Sequence, residues 1–109
     1  MLEGEPKNWD NSCCNGRIRS VDTTVNGRRA TEGEIDPGAY TVPVGAEEHI
    51  TITNGNLDAK HGRDAEYTTY GPGQSFVAPA HSLLWLRCGE PVSYQCVYFE
   101  ADGQGGYGA

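Results

Sequence analysis

The chain reads as a single all-β domain, a short closed barrel or sandwich of two sheets. Three observations lead there: short runs of alternating apolar and polar residues, turn pairs punctuating them at regular intervals, and no stretch of helical periodicity long enough to build on. With 109 residues and 11.8 kDa there is room for one core. Gly 15 and Pro 6, about a fifth of the chain, suit many tight turns better than long helices.

Residues 16–24 form the first predicted strand, with Ile18 and Ser20 on one side and Arg17, Arg19 and Val21 on the other. It ends at Asn26-Gly27, the preferred pair for a two-residue hairpin turn. Residues 29–35 follow and stop at Asp36-Pro37-Gly38, after which residues 39–44 resume extended structure, which reads as a second hairpin. The β-branched run 49–53 is closed by Asn54-Gly55 and continues into residues 56–58, the clearest strand–turn–strand in the chain. Beyond a polar loop at His61-Gly62-Arg63-Asp64, strands are expected at 66–70, 75–78, 83–88 and 93–99, separated by Gly71-Pro72-Gly73, Pro79 and Gly89-Glu90-Pro91. Residues 1–11 and the Gly-rich 102–109 lack periodicity and are expected to be tails around a domain at 12–101.

The net charge of −7 and pI near 4.7 repel phosphate backbones at long range, so a nucleic-acid partner is not expected. Arg17, Arg19, Arg28, Arg29, Arg63 and Arg87 hold most of the positive charge, and small anions stay open as ligands. No apolar run approaches the roughly 20 residues of a membrane helix and the N-terminus is polar; the expectation is a cytoplasmic protein with no membrane partner. The cysteines Cys13, Cys14, Cys88 and Cys96 contain no C-x-x-C pair and read as reduced thiols. Cys88 and Cys96 sit on consecutive strands, near enough to face each other across a hairpin.

Glu48 to Gly55 fits the E-x6-G part of the first cupin motif, and Gly73 to Pro79 the G-x5-P part of the second. The chain therefore resembles the cupins, whose fold is a double-stranded β-helix, or jelly-roll barrel. Further runs narrow the resemblance: Gly16-Arg17-Ile18-Arg19-Ser20, Asn26-Gly27-Arg28, Pro37-Gly38-Ala39-Tyr40-Thr41, and Gly73 through Ser82. With Glu90-Pro91-x-Ser93-Tyr94-x-Cys96-x-Tyr98, these are similar to the pyrimidine/purine nucleoside phosphorylase family of small single-domain cupins. The resemblance implies a homodimeric enzyme without a metal or organic cofactor. It would transfer the pentosyl group of purine and pyrimidine nucleosides to inorganic phosphate, its co-substrate, releasing free base and ribose 1-phosphate.

On the residues themselves, the positions before Glu48 where metal-binding cupins carry paired histidines are Thr41, Val42, Pro43 and Val44, so no metal site is expected. Glu48 and Arg28 are the candidate catalytic residues: a carboxyl inside a barrel for acid–base work, and a cation for phosphate, although Glu48 also suits a solvated strand start and Arg28 an exposed hairpin. Tyr94, Cys96 and Tyr98 alternate on one strand and share a face; with Tyr40 and Phe76 they are candidates for binding a heterocycle or for filling the barrel. His81 and Ser82 stand beside Pro79 as possible donors to phosphate or base, or as loop caps. Two other functions stay open. Glu32 and Glu34, if inward, would repel phosphate and point to a non-catalytic small-molecule-binding cupin; His49, His61 or His81 could serve a metal-dependent one.

Overall fold

A computed structural model describes residues 8–100 of the chain; the expectations for residues 1–7 and 101–109 lie outside the described residues. Ten strands build it: β1 (Asn11–Cys13), β2 (Ile18–Val25), β3 (Arg28–Ile35), β4 (Gly38–Val44), β5 (Glu47–Asn54), β6 (Leu57–Lys60), β7 (Thr68–Tyr70), β8 (Ser75–Ala78), β9 (Ser82–Cys88) and β10 (Val92–Phe99). They form a six-stranded sheet in the order β1-β2-β3-β10-β5-β8 and a four-stranded sheet in the order β4-β9-β6-β7, every pairing antiparallel. The fold is all-β and cupin-type. Among the described residues no helix is long and apolar enough to cross a membrane.

β2 and β3 form the hairpin that Asn26-Gly27 predicts: both residues have positive φ, 52° and 80°, as a type I′ turn requires. The other two turn signals do something different. Asp36-Pro37-Gly38 does not close a hairpin, because β3 pairs with β10 while β4 pairs with β9 in the opposite sheet. Asn54-Gly55 likewise hands the chain from β5 in one sheet to β6 in the other. Turn residues report that the chain reverses, not which partner the next strand finds, and in a two-layer barrel the apolar faces of consecutive strands are buried by facing each other across the core. The same correction applies to Cys88 and Cys96. Their strands β9 and β10 belong to different sheets; the Cys88 thiol points to the Asp36 carbonyl at 3.4 Å while Cys96 lies in the core.

β1 was not expected as a strand. Its first residue falls inside the stretch read as a tail, whose polar composition hides an edge strand that needs little apolar surface. Asn11, Ser12 and Cys13 pair with Ser20, Arg19 and Ile18, and the Asp10 amide donates to the Ser20 carbonyl.

The core fills the space between the sheets with Ile35, Ile50, Ile52, Val92 and Cys96 from the larger one and Val44, Leu57, Ala59, Leu84 and Leu86 from the smaller. Alternation along β3 puts Ile35, Gly33, Thr31 and Arg29 on the inner face and leaves Arg28, Glu32 and Glu34 outside. Two glycines are required by space. A Cβ on Gly33 would meet the Arg19 carbonyl at 2.5 Å and the Tyr94 hydroxyl at 2.6 Å; one on Gly55, where φ is +83°, would meet the Pro91 carbonyl at 2.5 Å. Gly33 thus lets the Tyr94 ring cross the β3 backbone. Gly33→Ala is expected to destabilise the domain by about 1–3 kcal/mol, at roughly 4–8 °C of melting temperature per kcal/mol, measured by thermal denaturation.

Candidate active site

Between the two sheets a half-open cavity of about 130 Å³ is lined by Glu48, Tyr94, Cys96 and Tyr98 against an apolar wall that includes Ile18, Val42, Ile50, Leu84 and Leu86. Strand β10 delivers three of these four residues. It is hydrogen-bonded to β5 with Tyr98 opposite Glu48, Cys96 opposite Ile50 and Tyr94 opposite Ile52, so each shares the inner face with a core or cavity residue. On the other side it pairs with β3, Cys96 opposite Thr31 and Tyr94 opposite Gly33. The alternation read from Tyr94-x-Cys96-x-Tyr98 therefore places two phenols and a thiol in one row above Glu48.

Within the cavity the Cys96 thiol donates to Glu48 Oε1 at 3.5 Å, and the Tyr98 hydroxyl lies 3.4 Å from Thr31 Oγ1. Burial raises the pKa of Glu48 above the usual carboxylate range; the Cys96 hydrogen bond and the field of Arg29 oppose it without cancelling it. Burial pushes the Tyr98 phenol up to about 12, the Thr31 contact notwithstanding. Tyr94 and Cys96 are raised as well, first by burial, then by the neighbouring Tyr98 and Glu48 respectively. Two phenols and a thiol are thus held as protonated donors around one carboxyl that neutralises easily. A ligand with acceptor oxygens or nitrogens and a flat apolar body matches that lining.

The cation on this face is Arg29, which sequence reasoning passed over for its neighbour. Its guanidinium lies 3.8 Å from the Tyr98 ring centroid and pairs with Glu100 at 2.9 Å. Arg28, one residue out of phase, stacks 4.0 Å over Phe99 on the outer face, where Phe99 also stacks on His49 at 3.9 Å. The signal that could have found Arg29 is its even spacing from Thr31, Gly33 and Ile35.

The remaining predicted residues do not line the cavity. The Tyr40 hydroxyl donates to the Asp36 carbonyl at 2.7 Å and receives the Arg17 Nε at 3.3 Å, tying down the corner between β3 and β4. Phe76 is buried core, stacked on Tyr70 at 4.5 Å. The Ser82 hydroxyl caps the Pro79 carbonyl at 2.6 Å, and His81, exposed with φ of 59°, donates its amide to Gly45. Glu34 pairs with Arg19 at 3.1 Å and, like Glu32, faces a solvent-open hollow of about 250 Å³ outside the barrel rather than the cavity. His49 bonds Glu47 at 2.7 Å on the outer face, His61 lies against Phe76, and His81 is in the β8–β9 turn. Among the described residues no three His, Cys, Asp or Glu side chains come together as metal ligands would.

Because burial raises Glu48 above its unfolded-state value, the stabilisation its protonated form brings is complete below the ordinary carboxylate range and is lost as pH rises through the shifted pKa. Glu48→Gln, which keeps the shape and an acceptor for Cys96, is expected to melt above the native protein at neutral pH. The difference should close as pH falls below about 4, in melts followed across that range.

A family model described as pyrimidine/purine nucleoside phosphorylase matches residues 9–98. A pyrimidine/purine nucleoside phosphorylase of Clostridioides difficile is 38% identical over 84 residues, covering 76% of this chain and 80% of that protein. Another of that name from Cronobacter sakazakii is 34% identical over 89 residues, covering 81% and 95%. A crystal structure of a protein of unknown function from Vibrio parahaemolyticus is similar at a TM-score of 0.76 with 31% identity, covering 82% of this chain and 95% of that one.

Proposed function

Since the chain belongs to the pyrimidine/purine nucleoside phosphorylase family, we propose that it cleaves nucleosides with inorganic phosphate in the cavity above Glu48, giving free base and ribose 1-phosphate. The observation that carries this reading is the convergence of Glu48, Tyr94, Cys96 and Tyr98 on one cavity with Arg29 against Tyr98.

In phosphorolysis a phosphate oxygen attacks the anomeric carbon as the glycosidic carbon–nitrogen bond breaks, and the electron pair leaves with the base. The base must then receive a proton, and the sugar passes through an oxocarbenium-like state beside an anion. Glu48, its pKa raised by burial, is suited to give that proton; as a carboxylate it balances the sugar's positive charge. Arg29 supplies the cation for phosphate. Its bond to Glu100 joins two half-exposed side chains, a pairing worth little in water, so an incoming phosphate can replace the carboxylate. The phenols of Tyr94 and Tyr98 give the heterocycle flat walls and edge donors. At about 130 Å³ the cavity is smaller than the roughly 300–1,000 Å³ of drug-sized sites, so it accommodates part of a nucleoside, while Arg29 stands outside its lining, over the Tyr98 ring. The outward placement of Glu32 and Glu34 keeps their charge away from the cavity, which supports this reading.

Incubation with inosine, adenosine, guanosine or uridine should release free base only when phosphate is present; absence of phosphate-dependent release from all of them would refute the reading. Glu48→Gln is expected to lower kcat by about 10²–10⁴-fold. In the native enzyme the rate should fall as pH rises through the raised Glu48 pKa, because the proton donor is lost. Arg29→Ala should lower kcat/KM for phosphate by about 10–100-fold, the loss of one charge-assisted hydrogen bond, while Arg28→Ala stays within about twofold.

A further inference from the structure

The turn after β1 brings two thiols together outside the chemistry described above. Cys13 and Cys14 are adjacent in sequence, and neighbouring side chains on a strand point to opposite faces, so their sulfurs would ordinarily lie far apart. Here the chain leaves the strand at Cys13 and enters a tight turn in which Cys14 has φ of 60°, Asn15 60° and Gly16 81°, with the Gly16 amide donating to the Cys13 carbonyl at 3.0 Å. Asn and Gly take the left-handed region readily; a cysteine does so rarely. The result of the turn is a sulfur–sulfur separation of 2.9 Å, well inside ordinary non-bonded contact. Cys13 is exposed, and β1 is an edge strand with one neighbour.

The geometry points to a vicinal dithiol that hydrogen peroxide converts into a disulfide between Cys13 and Cys14, which a thiol reductant reverses. One sulfur, as thiolate, attacks a peroxide oxygen; the O–O bond breaks, water leaves, and a sulfenic acid forms. The second sulfur then displaces the hydroxyl as another water. The pair has given up two electrons and two protons, and the peroxide has become two waters. Consecutive Cα atoms about 3.8 Å apart are closer than the ~4.4–6.8 Å of an ordinary disulfide, so the ring is strained and readily reduced. This favours a reversible modification over a structural bond.

Cys13 shares with Ile18 and Tyr94 the lining of the barrel cavity and of an adjoining hollow of about 170 Å³. Ring closure therefore alters the wall beside Tyr94. Its effect on turnover rests on the phosphorolysis reading; the bond itself does not.

The test is mass spectrometry of the folded full-length protein after hydrogen peroxide, with iodoacetamide added during unfolding. The tryptic peptide of residues 8–17 carries both cysteines and no others. It should be lighter by two hydrogens, free of alkyl groups, and return to a doubly alkylated form after dithiothreitol. Cys88 and Cys96 should remain alkylatable. Cys13→Ser and Cys14→Ser should each abolish the two-hydrogen loss and give oxygen addition on the remaining thiol. Double alkylation of that peptide after peroxide, a bond from either cysteine to Cys96, or a link between two chains would overturn the proposal. Phosphorolysis assayed on the same oxidised sample separates the two readings: turnover unchanged alongside the mass loss would leave the disulfide standing without control of the site.

Discussion

Strand β10 is hydrogen-bonded along both edges, to β3 on one side and β5 on the other, and this double pairing is what the site depends on. A strand held on both sides cannot slip by one residue without turning its whole inner row outward. Val92, Tyr94, Cys96 and Tyr98 are that row: at one end it fills the core and at the other it opens into the cavity. The same register puts Glu48 opposite Tyr98, and Thr31 opposite Cys96. One pairing pattern thus joins the stability of the barrel to the composition of its cavity.

The cavity carries a conflict that a purely structural core would avoid. A carboxyl, two phenols and a thiol lie where apolar side chains would pack at no desolvation penalty. The penalty is limited by neutral forms: the phenols and thiol keep their protons, and Glu48 is displaced toward its protonated state. Among the described residues no buried side-chain nitrogen or oxygen is left without a partner. Charge is kept to the rim and the outer faces instead. Arg19 ties Glu34 and Asp36 at 3.1 Å each, Arg87 meets Asp58 at 2.9 Å, and Arg29 rests on Tyr98 where the barrel meets solvent. An acidic protein can in this way present a cation at its cavity, because local placement rather than net charge sets the field there.

Much of the architecture was legible in the chain. Asn26-Gly27 specified a type I′ hairpin, since only left-handed residues match the twist of the strands it joins, and the alternation of Tyr94, Cys96 and Tyr98 assigned them one face. The reading faltered where one turn grammar serves two purposes. Asp36-Pro37-Gly38 and Asn54-Gly55 carry the signals of a hairpin, yet each passes the chain to the opposite sheet. Arg28 and Arg29 show the same limit at the scale of one residue. Both are exposed cations at a hairpin base, and only the inward phase of Ile35 separates the one beside Tyr98 from the one over Phe99. Tyr40, Phe76, His81 and Ser82 have the chemistry of ligand groups, but their partners are backbone carbonyls, a neighbouring ring and a turn.

The sequence by itself determined the all-β class, most strand positions, the inner row of β10 and the resemblance to nucleoside phosphorylases, because alternation, turn residues and motif spacing are local properties of a chain. Tertiary structure alone decided which strands pair beyond the β2–β3 hairpin, that Glu32 and Glu34 face outward, that Arg29 rather than Arg28 accompanies Glu48, and that Cys13 and Cys14 touch. Each of these turns on contacts between segments, or on a backbone angle in the left-handed region, and neither is encoded in residue type at a single position.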